Sequence, residues 1–221
     1  MEEQKIILSK SDFYNLMKDF KGYGNPKAKI WLIGQEENWG DDYDFENIKL
    51  DQDSYAYYKN KKNYSDKYLV DSFECRLSCN GSTFEKGVKT IVKHFYKDEP
   101  FQNSSLEILK RVFIINYNFI PIKLNKSKKV CKIFNKTENE FKEDLANRLN
   151  KLMKIAYESN ITKIFVLSKE YFNEITKIIL EDERNLDWAK GSINYNSIKI
   201  YLSYHPSYHG FYNRFNEIKN L

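Results

Sequence analysis

The stretch Ala28-Lys29-Ile30-Trp31-Leu32-Ile33-Gly34-Gln35-Glu36-Glu37-Asn38 decides how the rest of the chain is read. Its first part is nearly continuously apolar, the pattern of a strand covered on both faces. At Gly34 it changes abruptly to an amide and two carboxylates. Strands are therefore read over Ala28–Gly34 and over three segments of the same kind: Arg111–Asn116, Thr162–Ser168 and Ile198–Tyr204. Helical spacing lies between them. Phe13, Leu16, Met17 and Phe20 recur before the first strand. Ser82-Thr83-Phe84-Glu85 has the form of a capping box and leads into Val88, Ile91, Val92 and Phe95. Thr137 and Glu140 repeat the device before Phe141, Leu145, Leu149, Leu152 and Ile155. Ser168 opens a fourth pattern through Tyr171, Phe172, Ile175 and Ile179.

Strands alternating with helices predict an α/β fold, a three-layer αβα sandwich on a central four-stranded, mostly parallel sheet. With no repeat and no linker, residues 1–221 are read as a single domain. A tyrosine-rich insertion at about 40–81 carries Tyr43, Tyr55, Tyr57, Tyr58, Tyr64 and Tyr68. Long segments of this kind between core elements are usually functional or mobile. A second irregular stretch, Pro121 to Lys136, holds Lys123, Lys126, Lys128, Lys129, Lys132 and Lys136 and no acid.

Composition excludes several classes. The chain has 221 residues, 41% of them hydrophobic, with 17 Tyr, 15 Phe and 3 Trp, which is too apolar for a disordered protein. Its apolar runs are strand-sized and cannot span a bilayer. Met1-Glu2-Glu3-Gln4 lacks the basic and apolar regions of a secretory leader. Cys75, Cys79 and Cys131 make no disulfide framework, so a reduced, cytoplasmic protein is expected. The net charge of +5 does not by itself specify a nucleic-acid partner.

In open parallel sheets, ligands bind beyond the carboxyl ends of the strands. There the four strands are followed by Gln35-Glu36-Glu37-Asn38, by Tyr117-Asn118 after Asn116, by Lys169-Glu170, and by His205-Pro206-Ser207-Tyr208-His209. A carboxylate, an amide and an imidazole are thus directed to one edge. Gly34-Gln35-Glu36 after a strand resembles the first motif of the uracil-DNA glycosylase superfamily. His205-Pro206-Ser207 after the last strand resembles its second, and Phe113-Ile114-Ile115-Asn116 is similar to the strand whose terminal Asn reads the base. The lead-in Gly24-Asn25-Pro26-Lys27 resembles the approach to the first motif in divergent members. The likeness runs over about residues 22 to 215.

The resemblance implies a monofunctional DNA glycosylase that flips a pyrimidine, uracil or a 5-modified base, and hydrolyses its N-glycosidic bond to leave an abasic site. Glu36, with Glu37 as alternate, would stabilise positive charge on the sugar and orient water. His205 would donate a hydrogen bond to the departing base from its neutral form. Asn116, or Asn118 in its place, would read the base edge, beside Gln35 and Asn38. Ser207, Lys126, Lys128 and Lys129 would hold phosphates, and Tyr208, His209, Phe211 and Tyr212 would supply the wedge. The chain departs from the pattern at three places: Glu36 stands where the family has Asp or Asn, Glu37 where it has Pro, and Asn38 where uracil-specific members have a methyl-excluding Tyr. Asn38 leaves room for a 5-modified base, including a hypermodified base of phage DNA, in which case the enzyme would serve antiviral defence.

No metal or organic cofactor is implied, no membrane is involved, and the expected species is a monomer with DNA as partner. Three rival readings remain: a nucleoside-level glycosidase or transferase, a non-catalytic nucleic-acid-binding or partner-binding module, and a metal nuclease using the acids of residues 36–46, Asp41, Asp42, Asp44 and Glu46 among them. The acids of that last set read more simply as a solvated loop, and His94 as a structural histidine on an amphipathic helix.

Overall fold

The computed structural model describes residues 5–34, 45–59, 82–99, 104–120, 127–180, 191–204 and 210–218. The chain divides into two compact units. The first comprises Met1–Lys21, Gln35–Asn63 and Asn116–Leu152, and the second Gly22–Gly34, Tyr64–Ile115 and Met153–Leu221.

The second unit is built on a six-stranded mixed sheet. In chain order its strands are β2 (Tyr23–Gly24), β3 (Ile30–Gly34), β5 (Val112–Asn116), β6 (Lys163–Val166), β7 (Ser192–Tyr195) and β8 (Ile198–Leu202). Their order across the sheet is β2-β5-β3-β6-β8-β7. The four strands read from the sequence are the four interior ones. All five residues of β3 are buried, as a strand covered on both faces requires. β3, β6 and β8 run parallel.

The expectation of a four-stranded sheet is corrected: among the described residues the sheet has six strands. Each edge carries an added antiparallel strand, β2 against β5 and β7 against β8. Neither has an apolar run to announce it. β2 is two residues long, and β7 reads Ser-Ile-Asn-Tyr, half-exposed as an edge strand is. A tight turn with Asn196 at φ 51° returns β7 into β8. α3 (Ser82–Phe95), α4 (Ser105–Arg111), α7 (Lys169–Leu180) and α8 (Phe211–Ile218) belong to this unit. Within it Phe165 stacks on Tyr201 at 4.9 Å, and Phe95 and Phe215 close on the same ring.

The first unit holds α1 (Lys10–Asp19), a two-stranded antiparallel sheet of β1 (Ile6–Leu8) and β4 (Ile48–Leu50), α2 (Gln52–Tyr58) and α5 (Ser127–Ile133). It also holds the start of α6 (Glu138–Glu158), which runs on into the second unit. The expected tyrosine-rich insertion thus contains regular structure in its described part. Asp51 caps α2, its side chain accepting the Ser54 N–H at 2.7 Å. Tyr57 and Tyr58 are buried, each 5.2 Å from the ring of Phe20. These two tyrosines form core. A second aromatic group joins Phe13, Tyr14, Phe45, Phe119 and Phe134.

The capping box read at Thr137 and Glu140 is formed. The Thr137 N–H donates to the Glu140 carboxylate at 2.7 Å, and the Glu140 N–H donates to the Thr137 hydroxyl at 3.2 Å. The side chains of the box at Ser82 and Glu85 lie outside the described ones. No helix of the described residues is long and apolar enough to cross a membrane.

Candidate functional site

The carboxyl edge of the parallel strands is the place to look for chemistry. Registers in the second unit pair Ile33 with Val166 and Val166 with Leu202. The backbone continues that alignment one residue further. The Leu167 N–H donates to the Ile33 carbonyl and the Ser203 N–H to the Val166 carbonyl, both at 2.8 Å. Gly34, Leu167 and Ser203 therefore leave the sheet level with one another. Adjacent strands lie about 4.8 Å apart, so the ends of β3 and β8 are separated by about 10 Å. Gly34 has close company: a Cβ there would sit 3.2 Å from Leu167 Cδ1. Ser203 is fully buried and donates its hydroxyl to the Tyr204 carbonyl at 3.3 Å.

Two residues shape the last strand's exit. Arg214 of α8 donates Nε to the Leu202 carbonyl at 3.3 Å and pairs with Glu217 at 2.8 Å. Gly191, at φ 54°, lies so near that a Cβ would be 2.9 Å from Arg214 Nη2. The end of β8 is in this way tied to α8.

Of the residues assigned from the sequence, Gln35, Glu36, Glu37, Asn38, His205, Ser207, Tyr208, His209 and Lys126 lie outside the described residues. So do Cys75, Cys79, Asp41, Asp42 and Asp44. Asn116 is the last residue of β5 and is half-buried. Asn118 is buried beyond the strand, and its side-chain oxygen accepts the Ile120 N–H at 3.0 Å. That bond makes Asn118 a turn-former, whereas Asn116 holds the strand end. Lys128 and Lys129 are exposed on α5.

Phe211 is corrected. It is fully buried and stacks on Phe215 at 5.7 Å, whereas a wedge has to reach solvent. The next ring, Tyr212, is exposed. Glu46, an outer member of the acidic group considered for metal, is ion-paired with Lys10. Cys131 is a buried free thiol, its pKa pushed up by burial.

No motif singles out Arg148 on α6. Its buried guanidinium donates to the carbonyls of Asn116 at 2.9 Å, Tyr117 at 3.4 Å and Phe20 at 3.1 Å. Burial lowers its pKa to about 10, leaving it charged at neutral pH. The signal that marks it is positional: Phe141, Leu145, Arg148 and Leu152 fall on one helical stripe, and only Arg148 there is charged.

A separate basic cleft of about 470 Å³ lies at the opposite, amino-terminal end of β3, lined by Lys27, Lys29, Tyr96, Lys110 and Arg111 among others. Three of its four cations are matched by acids. Glu107 pairs with Lys110 and Arg111, which hold its carboxyl below the usual range, and Glu99 lies 3.6 Å from Lys29. Among the described residues no three His, Cys, Asp or Glu gather as a metal site. No protein-family model matches the chain, and no curated protein matches it.

Proposed function

We propose that the chain is a monofunctional DNA glycosylase of the uracil-DNA glycosylase superfamily, with Glu36 and His205 at its centre. The reading takes the sheet as the middle of an αβα sandwich within a single domain, and the protein as a cytoplasmic monomer acting on DNA without a cofactor. The observation that supports it is the register of β3, β6 and β8. Gly34 and Ser203 leave the sheet level with each other, and Glu36 and His205 follow them by two residues each.

The chemistry follows from those residue types. The N-glycosidic electron pair departs with the base, and His205 donates a hydrogen bond to the base oxygen on which charge grows. Glu36 stabilises the cationic sugar and accepts a proton from the water whose oxygen bonds to the sugar carbon. Asn116 supplies a donor and an acceptor to the base edge. Asn38 in place of a methyl-excluding Tyr favours a 5-modified pyrimidine, with phage DNA as one source.

Release of free base from an oligonucleotide and from the matching nucleoside tests this directly. Release from DNA but not from nucleoside is expected. Glu36→Gln is expected to slow release by about 10²- to 10⁴-fold while DNA binding persists. Equal release from the nucleoside would instead indicate the nucleoside-level enzyme. Binding without release from any substrate would indicate the non-catalytic module.

A further inference from the structure

Beyond β5 the backbone is irregular, yet Tyr117, Asn118, Phe119 and Ile120 are all buried, at 6%, 1%, 3% and 0% exposure. Buried irregular backbone has to find partners for its polar groups. Two side chains provide them. Asn118 accepts the Ile120 N–H at 3.0 Å. Arg148 donates Nη1 to the Asn116 and Tyr117 carbonyls and Nη2 to the carbonyl of Phe20, the C-cap of α1.

Among the described residues, every hydrogen-bond partner of Arg148 is a backbone carbonyl. Asp144, one turn earlier on α6, instead accepts from Tyr14 at 2.8 Å and Lys18 at 3.3 Å. A buried cation without a carboxylate is costly, and an apolar side chain of the same volume would avoid that cost. An apolar side chain cannot hold carbonyls from two distant parts of the chain in one planar fork. A lysine, with its compact ammonium, reproduces that fork poorly.

We propose that Arg148 is a positioning residue that holds the 116–120 turn in one arrangement and so sets Asn116 for base recognition. The role of Asn116 rests on the glycosylase reading, whereas the clamp on the turn does not. A planar guanidinium donating through both Nη atoms at a strand end holds backbone that the sheet no longer supports. Asn116 is then presented at a fixed point instead of searching for one.

The test uses the full chain with Arg148→Lys and Arg148→Met, well below their melting temperatures. Amide hydrogen exchange at 117–120 is expected to quicken by about tenfold or more in Arg148→Lys, with exchange in β6 unchanged. Discrimination between the excised base and an analogue lacking its amide-like edge is expected to fall by about tenfold, as in Asn116→Ala. A loss of folded protein lowers both rates together and leaves that ratio unmoved. Unchanged exchange at 117–120 overturns the clamp. Faster exchange with an unchanged ratio overturns the positioning of Asn116. A wild-type chain that excises no base overturns the glycosylase reading and the role of Asn116 with it, while exchange still decides the clamp. If neither variant folds, the wild-type guanidinium decides it by NMR: separate, slowly exchanging Arg148 Nη proton signals support the clamp, and averaged signals of a freely rotating group overturn it.

Discussion

Gly24 and Gly34 both precede the candidate catalytic loop, yet they answer to different constraints. Gly24 sits at φ 89°, and a Cβ there would lie 2.3 Å from the Val112 carbonyl oxygen. Neither the dihedral nor a backbone oxygen can yield cheaply, so Gly24→Ala is expected to cost about 1–3 kcal/mol or more in a denaturant melt. Gly34 has no such dihedral, and its neighbour is the flexible end of Leu167. Gly34→Ala is therefore expected to destabilise clearly less than Gly24→Ala in the same melt. The contrast also marks what can be read from sequence. Gly34 is legible because hydropathy breaks there. The demand on Gly24 comes from Val112, far along the chain, and no local pattern carries it. Phe211 shows the same limit, since a ring in an aromatic tail looks alike whether it turns to solvent or packs on Phe215. Arg148 was open to detection only as the one charge on an apolar stripe.

At the scale of elements, local chemistry was legible wherever it was self-contained. The four interior strands have apolar runs, and the Thr137–Glu140 box lies within four residues. β2 and β7 were not legible, because an edge strand takes its identity from its neighbour rather than from its own composition. α2 lies between these cases, since its cap is local but its tyrosines resemble a polar loop. Asp51→Ala is expected to cost about 1 kcal/mol by loss of that cap, measured in a thermal melt. Burial pushes the Asp51 carboxyl up, but the Ser54 N–H and hydroxyl outweigh it and leave its pKa below the usual 3.8. A carboxyl lowered by folding contributes stability that is complete above its unfolded pKa. That stability is lost as pH falls through the lowered folded value. Asp51→Asn keeps a capping oxygen without the titration. It is expected to track the wild type in melts near pH 7 and to lose less stability than the wild type below about pH 4.

For the molecule as a whole, the net charge of +5 conceals its arrangement along the chain. Acids gather in residues 36–53, and lysines follow β5. Of the described part of the lysine run, Lys128, Lys129 and Lys132 are exposed on α5, and Lys136 lies 3.9 Å from Asp144. If these side chains meet phosphates, the double variant Lys128→Glu, Lys129→Glu weakens DNA binding uniformly across sequences. The slope of log affinity against log salt should fall by about two in a fluorescence titration. An unchanged slope would remove α5 from the DNA-binding surface. The aromatic excess divides differently from the charge. Phe13, Phe20, Tyr57, Tyr58, Phe165, Tyr201 and Phe211 are buried in cores, leaving Tyr212 as the exposed ring of the described tail. The most direct measurement incubates the protein with duplex and single-stranded DNAs carrying uracil, mismatched thymine or 5-modified cytosine and scores alkali-labile breaks. Abasic sites in at least one of these DNAs, lost in Glu36→Gln while DNA binding remains, are the expected result. A folded, DNA-bound protein that leaves every one of them intact would contradict the glycosylase function.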